Sequence, residues 1–151
     1  MPDVEIRNAT PDDVASLADV YRRASLSNDG DRPMLLAHPE TLALDASSVL
    51  AGWTRVGVVD GRVVGFATTR PTGEVAELDD LFVDPELMRR GVARALIADA
   101  LEVARLHGWR RIEVTGNGHA LEFYEAVGFV RQGMTATPFG EGFRMHLDVP
   151  G

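Results

Sequence analysis

Alternating strand and helix patterns in the middle of the chain constrain the fold more than any other feature. The segment EVAELDDLFV predicts a strand that ends at Asp84-Pro85. After it, GVARALIADALEVARLHG carries a broad apolar helical stripe, with Gly108 as its stop. RRIEVT then predicts a short strand, and GHALEFYEAVG predicts a helix closed by Gly128. Strands joined by such a helix pair in parallel, so these patterns indicate a central parallel crossover.

The segments on either side of the crossover favour antiparallel pairing. VEIR alternates as a first strand, and Thr10 with Asp13 has the spacing of a capping box at the start of the next helix. Asp60-Gly61 stands between two valine-rich runs, which is the signal of a two-residue hairpin turn. FVRQGM and FRMHLDV predict a final pair of strands.

The predicted fold is α/β in the mixed α+β sense. We expect a mostly antiparallel sheet of about six to seven strands, with a central parallel crossover and helices on both faces. A chain of 151 residues is long enough for one domain with a substantial core, and it contains neither a repeat nor a low-complexity linker. We therefore expect a single domain over residues 1–151.

Composition excludes several classes of protein. The net charge of −8 disfavours a nucleic-acid partner. The absence of cysteine excludes disulfides, thiolate nucleophiles and cysteine-based zinc sites, and no histidine pair has metal-ligand spacing, so we expect no metal. All 15 basic residues are arginine, so no lysine can form a Schiff base or a Walker-type phosphate site. No long apolar run is present, which predicts a cytoplasmic protein without membrane contact.

Three arginines surround a glycine in MRRGVARAL, at the predicted start of the helix after the crossover strand. Backbone amides at a helix N-terminus bind anions, and Gly91 lets a phosphate approach them without meeting a β-carbon. Ala93 keeps the next position small, while Arg89, Arg90 and Arg94 offer charge-assisted donors. The alternative is a flexible link before a solvated first turn. Arginine is unfavourable in a first turn without an anion, so the pattern favours a phosphate site.

At these residues the sequence resembles a known family. LDDLFVDPELMRRGVARAL resembles the acetyl-CoA-binding motif (Gln/Arg)-x-x-Gly-x-(Gly/Ala) of GNAT-type N-acetyltransferases, with Gly91 and Ala93 at its two small positions. EVTGNGHALEFYEAVGF resembles the family's second block, an Asn followed by Ala-x-x-x-Tyr and a closing Gly-Phe. The order of elements from residue 4 to 149 also fits a GNAT-like fold. Met88 takes the position where the motif has Gln or Arg, which predicts weaker cofactor binding.

The resemblance implies an acetyl-CoA-dependent N-acetyltransferase that moves an acetyl group directly to a primary amine of a small molecule or a protein N-terminus. It implies that backbone groups of the crossover strand hold the pantetheine arm and that the glycine loop holds the diphosphate. An asparagine would contact pantetheine or a water, although an asparagine in TGNGH is equally suited to a turn. The implied cofactor residues are Leu81, Phe82, Val83, Arg89, Arg90, Gly91, Val92, Ala93, Arg94 and Asn117.

Two catalytic residues follow from the same resemblance. Tyr124 matches the position of a general acid, and a phenol with a pKa of ~10 can protonate a thiolate whose conjugate acid has a pKa of ~8.5. Its alternative role is core packing beside Phe123. Glu77 matches the position where some members place a base that acts through water. Asp79 shares its face of the strand, and the alternative for both is a hydrated strand edge.

The sequence indicates the acceptor-binding residues less specifically than it indicates the cofactor site. Arg32, Met34 and His38 lie in a long loop where the family admits the acceptor, and with Asp79 they are candidate substrate contacts, although a polar loop is more often only a loop. The negative charge suggests a cationic amine acceptor, and family members are often homodimers. A non-catalytic acyl-CoA-binding sensor or interaction module is the alternative function. A nucleotide-phosphate binder is weaker, because the Walker pattern is missing.

Overall fold

The structure is a computed structural model that describes residues 3–27, 37, 46–116, 120–137 and 140–150. Its strands are β1 (Glu5–Asn8), β2 (Thr54–Val59), β3 (Arg62–Thr72), β4 (Val75–Val83), β5 (Arg111–Gly116), β6 (Val130–Thr137) and β7 (Gly140–Asp148). They form one seven-stranded sheet in the order β1-β2-β3-β4-β5-β7-β6. The described helices are α1 (Val14–Leu26), α2 (Ser47–Leu50), α3 (Val92–His107) and α4 (Leu121–Ala126), with short 3-10 turns at Pro11–Asp13 and Pro85–Leu87.

The chain divides into two compact units. The first unit comprises Met1–Thr68 with Asp80–Leu96, and the second comprises Thr69–Asp79 with Ile97–Gly151. The boundaries between them fall within β3, β4 and α3. The expectation of a single domain over the whole chain stays a prediction.

In the first unit, β1 pairs with β2 and β2 with β3, both antiparallel. Asp60 and Gly61 join β2 to β3 with φ angles of 51° and 76°. Both residues are left-handed, which is what a type I′ two-residue hairpin turn requires. The predicted hairpin is therefore confirmed.

Helices cover both faces of β2 and β3 within the first unit. Leu17 and Val20 of α1 share a buried cluster with Val56 and Phe66. Side chains alternate along a strand, so the neighbouring positions 57 and 65 face the other way. On that other face, Val92 at the start of α3 lies against the glycines at both positions, and Leu96 lies against the glycine at position 65.

The second unit contains the crossover. β4 and β5 are parallel, with Ala76 opposite Ile112 and Glu77 opposite Glu113, and α3 lies between them in the chain. β5 then pairs antiparallel with β7, and β7 with β6. The predicted mixed and mostly antiparallel sheet with a central parallel crossover is confirmed.

Candidate functional site

The loop between β4 and α3 contains two residues in the left-handed backbone region. Arg89 has a φ of 66° and Gly91 a φ of 85°. A non-glycine residue in this region costs about 1–2 kcal/mol, and such strain concentrates at functional sites. A β-carbon on Gly91 would meet no atom of the described residues within 4 Å, so a glycine is required there by the backbone angle rather than by crowding. The open space in front of Gly91 is available to a ligand.

The loop leads directly into the first turn of α3. The amide of Ala95 donates to the Gly91 carbonyl at 3.0 Å, so the helical ladder begins at Gly91. The first amides of an α-helix have no partner within the helix and point outward along its axis. Arg89, Arg90 and Arg94 are exposed, and they form no ion pair with any residue that the structure describes. Such helix-end amides, beside guanidinium groups that have no ionic partner in the described part of the chain, suit a phosphate-bearing ligand.

The first turn of α3 packs against a pair of glycines on the sheet, and this contact is called the seat of the helix. Gly57 and Gly65 are directly opposite each other on β2 and β3. A β-carbon on Gly65 would lie 3.1 Å from Val92 Cγ1 and 3.0 Å from the Phe82 carbonyl oxygen. Val92 is consequently buried immediately after Gly91. This seat was not predicted from the sequence, although each valine-rich strand is interrupted by one glycine, which is a signal of close approach.

The end of β4 supplies the residues implied for the pantetheine arm. Leu81, Phe82 and Val83 are half-buried. The Phe82 ring packs edge-on against Tyr21 at 4.8 Å and lies 5.6 Å from the Phe66 ring. Because this ring is engaged in the core of the first unit, only the backbone of Phe82 is suited to contact a ligand.

In the second unit, Glu77 is held by an arginine that was not among the predicted site residues. Arg144 donates to Glu77 Oε2 at 2.7 Å and to Oε1 at 3.1 Å. It also donates to the Thr115 hydroxyl at 3.0 Å and to Glu113 at 3.4 Å. The hydrogen bonds to Glu77 raise the pKa of Arg144. No sequence spacing reveals this contact, because it depends on the register that places Thr115 opposite Arg144.

Asp79 is also paired with an arginine. Arg70 donates to its two carboxylate oxygens at 2.8 and 3.2 Å, and this raises the pKa of Arg70. Both side chains are partly exposed to solvent. Asp79 therefore lies at the surface of the second unit.

Tyr124 is packed within the second unit. Its ring is 5.2 Å from the Phe129 ring, and a β-carbon on Gly116 would lie 3.1 Å from Tyr124 Cδ2. The residue is 7% exposed. Its ring thus has the packing that the core alternative predicts. Because this packing holds the ring in place, it also fixes the direction in which the phenolic oxygen points.

Several predicted site residues lie outside the described residues. These are Asn117 for the cofactor, and Arg32, Met34 and His38 for the acceptor. Among the residues that are described, no group of three His, Asp or Glu side chains is arranged to hold a metal. Nor is any helix in the described ranges long and apolar enough to cross a membrane.

Comparison with known proteins identifies the family. Residues 14–129 match the family model described as the acetyltransferase (GNAT) family. The match covers well over half of the chain, so the chain belongs to the GNAT acetyltransferase family.

Two curated N-acetyltransferases are similar to part of this chain. An uncharacterised N-acetyltransferase of Methanocaldococcus jannaschii is 38% identical over 81 residues, which are 47% of this chain and 36% of that protein. Glucosamine 6-phosphate N-acetyltransferase of Trypanosoma brucei brucei is 34% identical over 76 residues, or 46% of this chain and 52% of that protein. The matched part thus spans about a third to a half of the length of these curated relatives.

A solved structure shares the fold over nearly the whole chain. The PaiA N-acetyltransferase of Thermoplasma acidophilum, crystallised in complex with coenzyme A, superposes with a TM-score of 0.79. The alignment covers 97% of this chain and 99% of that one, at 17% sequence identity. At this identity the comparison establishes the GNAT fold.

Proposed function

We propose that this protein is an acetyl-CoA-dependent N-acetyltransferase that transfers the acetyl group directly to a primary amine. Membership of the GNAT family supports the proposal. The observation that carries it is the loop before α3, where a left-handed glycine precedes the helix and three exposed arginines lack ionic partners among the described residues. That combination suits the diphosphate of coenzyme A.

The loop and the end of β4 would bind the coenzyme. The amides of Val92, Ala93 and Arg94 and the guanidinium groups of Arg89 and Arg90 would hold the diphosphate. Backbone groups of residues 81–83 would hold the pantetheine arm, with Asn117 as a further contact. Acetyl-CoA supplies a thioester that an amine can attack. Because most of these contacts use the backbone, Met88 in place of Gln or Arg weakens the site without removing it.

Proton transfer would depend on two residues of the second unit. Tyr124 would donate its phenolic proton to the departing thiolate, which is feasible because the pKa values of a phenol (~10) and a thiol (~8.5) are close. Glu77 would accept the proton of the incoming amine through a water molecule. Arg144 would then serve as its positioning partner, since the two hydrogen bonds fix the carboxylate plane and leave further lone pairs for water.

The acceptor is a primary amine of a small molecule or of a protein N-terminus. The related enzyme of Trypanosoma brucei brucei is named for a small amino sugar. The net charge of −8 favours encounter with a cationic amine. Arg32, Met34, His38 and Asp79 stay predicted acceptor contacts, and the homodimer and the cytoplasmic location stay predictions from the sequence.

The proposal is tested by release of free thiol. The purified protein is incubated with acetyl-CoA and a panel of amines, and the coenzyme thiol is followed with a colorimetric thiol reagent. We expect thiol release that depends on one or more amines. Tight acetyl-CoA binding without release for any amine would contradict the enzyme and support an acyl-CoA sensor.

A further inference from the structure

Asp84 begins the loop between β4 and α3, and its carboxylate is completely buried. Its Oδ1 accepts hydrogen bonds from Arg23 Nη1 and from the amide of Glu86, both at 3.0 Å. Its Oδ2 accepts from Arg23 Nη2 at 2.7 Å and from Arg62 Nη2 at 2.5 Å. A carboxylate has about four acceptor positions, so the side chain of Asp84 is saturated.

The backbone of Asp84 is tied down as well. Its amide donates to the Val64 carbonyl at 2.7 Å, and its carbonyl accepts from the Leu87 amide at 2.8 Å. The two arginines come from α1 and from the start of β3, which are 61 and 22 positions away in the chain. One residue thus joins α1, β3 and the loop within the first unit.

Stability alone does not account for a buried charge at this position. Replacing a buried ion pair by apolar residues of similar volume is often neutral or stabilising, whereas such a pair can fix one geometry. Burial by itself raises the pKa of Asp84, but the hydrogen bonds from Arg23, the Glu86 amide and Arg62 outweigh it and lower the pKa. The carboxylate therefore stays charged and keeps both arginines engaged.

The rest of the loop has little else to hold it. Met88 is 58% exposed, and Arg89, Arg90 and Gly91 are exposed as well. Exposed loops are mobile unless they are anchored, and amides that bind an anion do so best when their positions are set in advance. Asp84 anchors the start of this loop, as buried Val92 anchors its end.

We propose that Asp84 is a positioning residue for the diphosphate loop, residues 88–94. Asp84 is the first residue of the connection between β4 and α3, and by joining it to α1 and β3 it holds the amides around Gly91 ready for the coenzyme. Without this anchor, the loop would become ordered only on binding, and the free-energy cost of ordering it would reduce the affinity for the coenzyme. The inference rests on the proposed function, in which this loop binds the diphosphate.

The test is the Asp84→Asn variant, which keeps the shape of the side chain but turns an amide donor towards the arginine donors. We expect its Kd for coenzyme A, measured by calorimetry, to rise about tenfold, or ~1.4 kcal/mol. Pantetheine lacks the diphosphate, so its Kd, measured by NMR titration, should change less than about twofold. A change of that size is what a mutation that does not interact with the bound ligand produces. A parallel rise in both values, or no rise in either, would overturn the proposal.

Three further variants complete the experiment. Asp13→Asn is the matched control, because Asp13 accepts a similar fork from Arg7 at 2.7 and 3.1 Å, away from the loop; its Kd for coenzyme A should stay unchanged. If Asp84→Asn does not fold, Arg62→Gln, which leaves the Arg23 fork in place, should show the same selective loss of affinity for coenzyme A, at smaller size.

The Gly91→Val variant separates the two proposals. Unchanged affinity for coenzyme A in Gly91→Val would refute the proposed loop itself. A loss of affinity in Gly91→Val, with none in the Asp84 and Arg62 variants, would refute only the anchor.

Discussion

At the scale of single residues, the backbone angle at Gly91 carries more information than its missing side chain. Its φ of 85° is strained for any other residue, while no described part of the chain comes within 4 Å of where its β-carbon would be. Arg89 has a φ of 66° although it has a side chain, so the loop accepts strain to adopt its shape. A loop of this kind is understood more readily as a ligand-binding device than as a simple connection.

Gly91→Ala should reduce both stability and coenzyme binding. The left-handed angle costs about 1 kcal/mol with a β-carbon present, and relaxation of that strain would move the amides. Gly73→Ala is the matched control, because Gly73 has a φ of 78° and similarly open surroundings. Urea unfolding should show similar losses for both variants, with a raised Kd for coenzyme A only in Gly91→Ala. Equal Kd values for the two variants would contradict the role of Gly91.

Tyr124→Phe should lower turnover while leaving coenzyme binding intact. A positioned general acid contributes about 10²–10⁴-fold to the rate, and removal of the hydroxyl leaves the ring packing against Phe129 in place. Steady-state kinetics with the best amine of the panel would measure kcat, with Tyr21→Phe as the control. A wild-type kcat in Tyr124→Phe would leave only the packing role.

At the scale of elements, the contact between α3 and the sheet sets the position of the diphosphate loop. Val92 follows Gly91 directly and is buried against the opposed glycines of β2 and β3. Any change in the depth of this seat therefore shifts the first turn of α3 together with its free amides. The contact is tightest at Gly65, and so the seat is sensitive to a single added methyl group at that position.

Gly65→Ala should destabilise the protein and weaken coenzyme binding. The added methyl would lie 3.0 Å from the Phe82 carbonyl oxygen and 3.1 Å from Val92 Cγ1, and such overpacking costs about 1–3 kcal/mol. Gly57→Ala is the control, since its methyl would meet nothing closer than Val4 Cγ1 at 3.4 Å. Urea unfolding and calorimetry with coenzyme A would measure both effects. A larger loss of affinity in Gly57→Ala than in Gly65→Ala would contradict the seat.

The start of α1 should contribute acid-sensitive stability. The hydrogen bond from Arg7 is the main cause that lowers the pKa of Asp13 from 3.8 to about 2. A lowered folded-state pKa stabilises the fold above pH 3.8, and this contribution, at most about 2 kcal/mol, is lost as the pH falls towards 2. The difference in free energy of unfolding between wild type and Asp13→Asn should shrink over this range. A difference that is constant between pH 6 and pH 2 would contradict the assignment.

At the scale of the whole molecule, local patterns predicted the elements and long-range contacts were beyond them. The turn at Asp60-Gly61 and the helix that stops before Gly108 are fixed by neighbours in sequence, and both were predicted correctly. The pair of Arg144 with Glu77 joins positions 67 apart, and no periodicity encodes such a distance. The family resemblance supplied Glu77 itself, but only the strand register reveals the arginine that holds it.

The central claim is that the amides at the start of α3 bind the coenzyme diphosphate, and a crystal structure with coenzyme A tests it most directly. We predict diphosphate oxygens about 2.7–3.2 Å from the amide nitrogens of the Val92–Arg94 turn, with Gly91 still left-handed. A bound coenzyme whose diphosphate lies elsewhere, with this turn in contact with solvent alone, would contradict the account.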